Sequence, residues 1–522
     1  MMMRGMKWIA LAVLLSVNST GRAATAEQCL ALTQLKIPGV ALIIDNAEVV
    51  PAGKVPALPF KPAFDATVPE YCRLDGTIDR RVGRHSKPYA IGFSIALPVQ
   101  WNGRFLFQGG GGLNGSVSPP LGLDAIVGEP ALARGFAVVS TDSGHQGAVF
   151  DASFFEDQQA TLDFLYQAIG KVTLAAKQII EQHYGRQPEH SYYVGCSTGG
   201  REAMLMSQRY PTYFDGIVAG APAMRTSYSN LADRYVATQL NAIAPKDASG
   251  ASVGSQALSD SDRKLVVDGL LKACDAHDGA VDGMVFNTQA CRFDPAALVC
   301  NGEKTAACLR ADQAEAIKAG FAGPRNSAGR AVYPGFPYDT GIAASASTSG
   351  IPGLLLAAAG PVGPPSASTT MNIDQEALMA DTAVSRLGDS DMWTDLNTFS
   401  DRGGKLIFYH GASDPWFSAL DTVQYYERLA DTNGGAEKVR SWSRLFLVPG
   451  MGHCAGGAAT LDRFDMVDAV VNWVEKDVAP ASIIATGKAF PQRSRPLCPY
   501  PQYPHYKGKG SGERAENFEC RS

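Results

Sequence analysis

The apolar positions of this chain gather into short runs that alternate with amphipathic stretches over much of its 522 residues. Residues 89–97, 104–107 and 136–141 are runs of bulky and β-branched side chains. A helical pattern, with apolar residues every three or four positions, then covers about 158–184. The apolar run 191–194, a helical segment 201–210 and a further run 216–220 follow. After about residue 222 this rhythm breaks, and it returns with strand-like 405–409 and 444–448 and helical 418–429 and 461–476. Strands alternating with helices predict βαβ units and a largely parallel sheet. Residues 27–86, rich in proline, and the tail beyond Phe490 read as irregular. The stretch 222–399 holds four cysteines and a passage rich in Gly, Pro, Ala and Ser at 345–370. It is too long for a loop and reads as an inserted domain.

The N-terminus changes this picture. Arg4 and Lys7 precede a short apolar run, 8–17, and then Ala24-Thr25-Ala26. That is the pattern of a secretory signal peptide, cleaved near Ala24 or Ala26. The run is well short of the ~20 residues that cross a bilayer, and no other segment is apolar enough to do so. The mature chain is expected to be secreted or periplasmic, with no membrane attachment. Charge adds an exclusion: 46 Lys+Arg against 51 Asp+Glu, with no basic stripe, offers nothing to nucleic acid.

All ten cysteines lie beyond the cleavage site, and an even number in an exported chain predicts disulfides. Sequence leaves their connectivity open. Cys274/Cys291 and Cys300/Cys308 are natural local pairs, while Cys29/Cys72 and Cys498/Cys520 could tie down the two ends. Cys196 and Cys454 then remain for each other. A zinc site competes, but no C-x-x-C pair occurs.

Candidate chemistry centres on Gly195-Cys196-Ser197-Thr198-Gly199, a G-x-S-x-G pentapeptide between a strand and a helix. In that context it is a nucleophile elbow, whose small residues let the backbone turn and raise the serine. Acyl transfer also needs an imidazole base and a carboxylate to hold its tautomer. Asp414 follows the strand ending at Tyr409, and His453 follows the strand ending at Val448. The order Ser, Asp, His after successive strands is that of an α/β-hydrolase, and strand ends are where open α/β sheets place their sites. The expected fold is therefore α/β, an α/β-hydrolase core (27–221 and 400–522) interrupted by a large lid domain (222–399). A developing oxyanion needs donors. The N–H of Thr198 is one candidate, and the glycine-rich loop 109–115 should supply the other. In the insertion, Asp275, Asp278 and Asp282 with the carbonyls of Ala280 and Met284 would suit Ca²⁺, a cation that takes oxygen ligands. The spacing equally allows a solvated acidic turn.

These residues resemble the tannase/feruloyl esterase family, secreted α/β-hydrolases whose nucleophile and base each adjoin a cysteine of one disulfide. Here those are Cys196-Ser197, Asp414 and His453-Cys454. The resemblance extends over essentially the whole mature chain and is strongest to a bacterial branch that hydrolyses a terephthalate monoester. It implies the five disulfides in the pairing above. It also implies a structural lid calcium at Asp275, Asp278, Ala280, Asp282 and Met284. It points to Gly115 with Thr198 as the oxyanion hole, and to Phe417 as an aromatic beside the acid that contacts the acyl ring. The terephthalate enzyme grips its substrate's carboxylate with a lid arginine and aromatics, whereas 351–383 here is shorter and has no Arg or Trp. Feruloyl or galloyl esters fit at least as well. The expectation is a serine esterase acting on small aromatic esters. The alternatives are a terephthalate monoester hydrolase, a non-catalytic binding protein of the same fold, or a peptidase.

Overall fold

The computed structural model describes residues 26–58, 64–345, 351–356, 360 and 366–522. The leader expected at 1–26 lies, but for Ala26, outside them. Nine strands form one sheet: β1 (Leu42–Val50), β2 (Tyr71–Val82), β3 (Pro88–Pro98), β4 (Arg104–Gln108), β5 (Ala137–Thr141), β6 (His190–Cys196), β7 (Gly216–Gly220), β8 (Lys405–Gly411) and β9 (Ser443–Val448). Their order is β1-β2-β3-β5-β4-β6-β7-β8-β9. The first three pairings along this order are antiparallel and the remainder, from β5 to β9, are parallel.

Successive residues of a strand point to opposite faces, and both faces here are apolar. Phe105, Phe107, Tyr193, Ile217 and Phe408 belong to one buried cluster, shared with the long helix α1 (Ala168–Tyr184). Leu106, Tyr192, Val194, Val218 and Ile407 belong to the other, covered by α9 (Met466–Lys476) through Val467, Val470 and Trp473. Helix α2 (Thr198–Arg209) follows β6, and α8 (Ala419–Thr432) follows β8.

Between β7 and β8 lies the insertion, with helices α3 (Thr226–Ile243), α4 (Asp260–Cys274), α5 (Ala311–Ala322), α6 (Ile373–Ala380) and α7 (Ala383–Gly388). It buries an apolar cluster of its own, with Val236, Leu240, Ile317, Phe321, Tyr333 and Phe336 at its heart. All five disulfides join Cys29–Cys72, Cys196–Cys454, Cys274–Cys291, Cys300–Cys308 and Cys498–Cys520. Among the described residues no helix is long and apolar enough to cross a membrane.

Two expectations are corrected. Residues 27–86 are not irregular, since they carry β1 and all twelve residues of β2. In β2 the alternation is real: Cys72, Leu74 and Ile78 are buried while Arg73, Asp75 and Thr77 between them are half-exposed, so the strand's composition looks polar. The tail beyond Phe490 likewise contains strands at Ser494–Leu497, Tyr503–Tyr506 and Phe518–Arg521. The helical stretch expected at 158–184 is helical but divided, with a π turn at Asp163–Gln167 before α1.

Candidate active site

Strand β6 delivers the chain to the elbow. Ser197 sits at φ 64°, ψ −123°, a left-handed conformation costly for a residue with a Cβ. The flanking glycines make it possible. A Cβ on Gly195 would lie 2.7 Å from the backbone of Gly199, and one on Gly199 would lie 2.7 Å from the Gly110 carbonyl oxygen. Turn and glycine loop therefore meet backbone to backbone.

The structure brings Ser197, His453 and Asp414 together. His453 Nε2 lies 2.8 Å from Ser197 Oγ, and its Nδ1 lies 2.7 Å from Asp414 Oδ2. The other oxygen of Asp414 accepts the N–H groups of Trp416 (2.9 Å) and Phe417 (3.0 Å). Burial pushes the Asp414 carboxyl up, but the His453 charge and the hydrogen bonds from His410 and His453 outweigh it and hold it well below the usual carboxylate range. An ionised carboxylate on Nδ1 leaves Nε2 as the acceptor facing the serine hydroxyl, which is the tautomer a general base requires. Cys196 and Cys454 are bonded, with Cα atoms 5.9 Å apart, so the elbow and the histidine loop are covalently joined.

A second histidine supports the acid. His410 is fully buried, 3.3 Å from Asp414 Oδ2. Its Nε2 lies 2.9 Å from the Phe417 carbonyl, which only accepts, so Nε2 carries the proton and Nδ1 accepts from Thr422 Oγ1 at 2.8 Å. The sequence signal for this residue is the H-G-x-x-D spacing at the end of β8, in which Asp414 is the candidate acid.

The glycine loop is anchored by Glu202, a buried acid on α2. One of its oxygens accepts from Ser143 Oγ (2.9 Å) and Asn114 Nδ2 (3.2 Å), the other from Tyr193 OH (2.8 Å) and the Gly110 N–H (3.1 Å). Gly115 is not placed as expected. Its N–H donates to the Asp142 carbonyl at 3.0 Å, and it stands outside the lining of the cavity above Ser197. Gly112 does line that cavity beside Ser197 and Thr198, and its carbonyl accepts the Thr198 hydroxyl. The N–H groups of Gly112 and Thr198 have no acceptor among the described residues.

The cavity measures about 360 Å³. Phe150, Phe155, Phe164 and Leu165 from the core, Val384 from the insertion, and Trp416 and Phe417 after β8 form its apolar walls. The rings of Trp416 and Phe417 lie 5.3 and 5.2 Å from that of His453, which places the expected Phe417 at the site. The π turn supplies Phe164 and Leu165, and their carbonyls accept from the buried Arg201 guanidinium at 3.2 and 2.9 Å.

The acidic loop of the insertion is a separate feature. Asp275 accepts the N–H groups of Asp282 (3.1 Å) and Gly283 (3.0 Å), Asp278 accepts that of Ala280 (3.0 Å), and Asp282 accepts that of Met284 (3.2 Å). Asp282 also pairs with the buried Arg495 of the tail. Among the described residues Asp278 has no cationic partner, and burial with Asp282 and Asp275 nearby pushes its carboxyl up to about 7. Among the described residues no three His, Cys, Asp or Glu side chains converge on one point. Oxygen-only donors and the uncompensated Asp278 suit a hard cation, whereas Asp282 already has its counter-charge.

The model of the "Tannase and feruloyl esterase" family matches residues 72–354 and 365–521. The chain belongs to that family. It is 39% identical over 523 residues to "Mono(2-hydroxyethyl) terephthalate hydrolase" of Piscinibacter sakaiensis, covering 88% of this chain and 86% of that protein. It is 30% identical to a "Probable feruloyl esterase" of Arthroderma benhamiae, covering 95% and 93%. The crystal structure of feruloyl esterase B from Aspergillus oryzae superposes with a TM-score of 0.76 at 26% identity, over 95% of this chain and 100% of that one. The protein is thus a carboxylic ester hydrolase of the tannase/feruloyl esterase type.

Proposed function

We propose that the protein is a secreted or periplasmic serine esterase that cleaves small esters of aromatic acids through an acyl-enzyme, with the insertion acting as a lid over the site. The observation that carries this reading is the unbroken hydrogen-bonded series Ser197–His453–Asp414 at the base of an aromatic-walled cavity. His453 Nε2 takes the hydroxyl proton as Ser197 Oγ attacks the ester carbonyl, and Asp414 balances the imidazolium that forms. The N–H groups of Thr198 and Gly112 receive the oxyanion. His453 then returns the proton to the departing alkoxide, and a water activated by the same nitrogen releases the acid. His410, bonded to the Phe417 carbonyl, keeps Asp414 in place without touching the substrate.

Asp275, Asp278 and Asp282, with the carbonyls of Ala280 and Met284, would hold a Ca²⁺ that would stiffen the insertion and take no part in the chemistry. Hydrolysis of methyl benzoate and p-nitrophenyl acetate by native protein and Ser197→Ala tests the main claim. Loss of at least about 1000-fold in kcat with an unchanged fold is expected from removing the nucleophile. Equal turnover in the two proteins refutes the mechanism, and no labelling of native protein by a serine-reactive phosphonate favours a binding protein instead.

A further inference from the structure

On the insertion side the aromatic walls of the cavity give way to small polar residues, among them Thr226, Asn230 and Ser385, and to one acid, Asp389. Asp389 follows the end of α7, and its N–H donates to the Ser385 carbonyl at 2.7 Å. Its carboxyl accepts no hydrogen bond and forms no ion pair among the described residues. The nearby Arg225 is engaged elsewhere, donating to Asp421 at 2.6 Å. Arg201 is the one cation among the described lining residues. It is committed to the carbonyls of Leu165, Phe164 and Gly388 (2.9, 3.2 and 3.3 Å) and stacked on the Phe164 ring. Residues 331–385, the insertion segment leading into this wall, contain no Lys or Arg at all.

Burial, reinforced by Asp391, pushes the Asp389 carboxyl up to about 8 against the pull of Arg201 and Arg225. Near neutral pH this wall therefore presents an O–H donor and a carbonyl acceptor, with no uncommitted cation beside them among the described residues. A phenolic hydroxyl satisfies both groups, since it donates to the carbonyl oxygen and accepts the acid proton. A substrate carboxylate can accept the acid proton but has none to give the carbonyl oxygen, and its charge is buried with no uncommitted cation among the described lining residues to balance it. Resting on the esterase reading above, we propose that Asp389 determines specificity by selecting aromatic acyl groups that carry a phenolic hydroxyl and disfavouring those that end in a carboxylate.

The test compares kcat/KM for methyl benzoate, methyl 4-hydroxybenzoate, methyl 3,4-dihydroxybenzoate and monomethyl terephthalate, in native protein and in Asp389→Ala, Asp389→Asn and Asp389→Arg. Comparing variant with native for each ratio of esters cancels their different intrinsic reactivities. In Asp389→Ala the preference for the better hydroxylated ester over benzoate is expected to fall about tenfold, the value of one hydrogen bond, chiefly through KM. Asp389→Asn, still a neutral donor and acceptor, should keep most of it. Asp389→Arg should raise monomethyl terephthalate relative to benzoate by about tenfold. The proposal is overturned if Asp389→Ala lowers all esters alike, which is the mark of a structural role. It is also overturned if native protein hydrolyses monomethyl terephthalate as well as the hydroxylated esters. If no ester is turned over in a Ser197-dependent way, the esterase reading fails and the proposal with it.

Discussion

Removing the Cys196–Cys454 bond separates two effects that a disulfide beside a nucleophile could have. It closes a loop of 258 residues, and chain entropy assigns such a crosslink about 5.5 kcal/mol. The inner disulfides, with separations of 17 and 8, shorten the loop by only a tenth, which a logarithmic dependence scarcely registers. For a chain of this length the entropy of unfolding is about 1 kcal/mol per degree, so Cys196→Ala with Cys454→Ala should lower Tm by about 5 °C. The catalytic effect is of another size. Ser197 and Cys454 both sit in left-handed backbone, at φ 64° and 65°, on either side of the 2.8 Å contact between Ser197 Oγ and His453 Nε2. Freed of the bond, the two turns can relax apart, and a displacement of about 1 Å costs on the order of 100-fold in kcat.

Thermal unfolding followed by circular dichroism, alongside kcat on methyl benzoate at a temperature where both proteins are folded, reads the two effects separately. Cys29→Ala with Cys72→Ala is the matched control. Its loop of 43 residues is worth about 4 kcal/mol, so Tm should fall by about 4 °C with kcat unaltered. A double variant at 196 and 454 that keeps kcat within about threefold while Tm falls like the control would show that the bond staples the fold without positioning the base. An unchanged Tm would refute the loop argument itself.

Glu202→Gln replaces one of two oxygens that each receive a pair of donors, and should lower kcat by about 10- to 100-fold with little change in KM, because the oxyanion donors are displaced; a change confined to KM would contradict that. Chelation with EDTA should lower Tm by several degrees, restored by Ca²⁺ and not by Mg²⁺, with kcat at 25 °C within about twofold, and a Tm indifferent to EDTA would dispose of the calcium. Asp157, bonded to Arg81 at 3.1 Å, is held well below the usual carboxylate range by that guanidinium. A depressed pKa contributes stability above the unfolded value of ~3.9 and loses it as the pH falls toward the folded one. Asp157→Asn should therefore flatten the fall of Tm below about pH 5, and parallel curves for variant and native would exclude the assignment.

What could be read from the sequence follows from where each signal is stored. The parallel strands, buried on both faces, are unbroken apolar runs, and residues 216–220 are a strand as expected. Strand β2 hides its alternation behind Arg73, Asp75 and Thr77, because only one of its faces is in the core. The last helix begins at Met466, not 461, since Arg463 is held by backbone hydrogen bonds with Thr486 at 2.8 and 2.9 Å, a contact no local pattern encodes. The π turn at 163–167 leaves the helical period of the sequence almost intact, yet it decides where Phe164 and Leu165 point their carbonyls.

The same division runs through the site. Ser197, Asp414 and His453 each sit at a strand end in a short motif, and so does the H-G-x-x-D signal for His410. Which glycine N–H remains open is not local, because it depends on Asp142 taking that of Gly115 and not that of Gly112. The cavity wall is less local still: Phe150, Arg201 and Asp389 come from a loop, a core helix and the insertion. Bond-breaking chemistry is thus written in contiguous residues, while the choice among acyl groups is assembled from segments far apart in the chain. A homologue can therefore keep the whole Ser–Asp–His arrangement and differ in substrate through a few positions in the insertion, so 39% identity to a terephthalate monoester hydrolase fixes the reaction more firmly than the acid released. In this chain the residue we propose to make that choice is Asp389, in a wall with no uncommitted cation among the described residues.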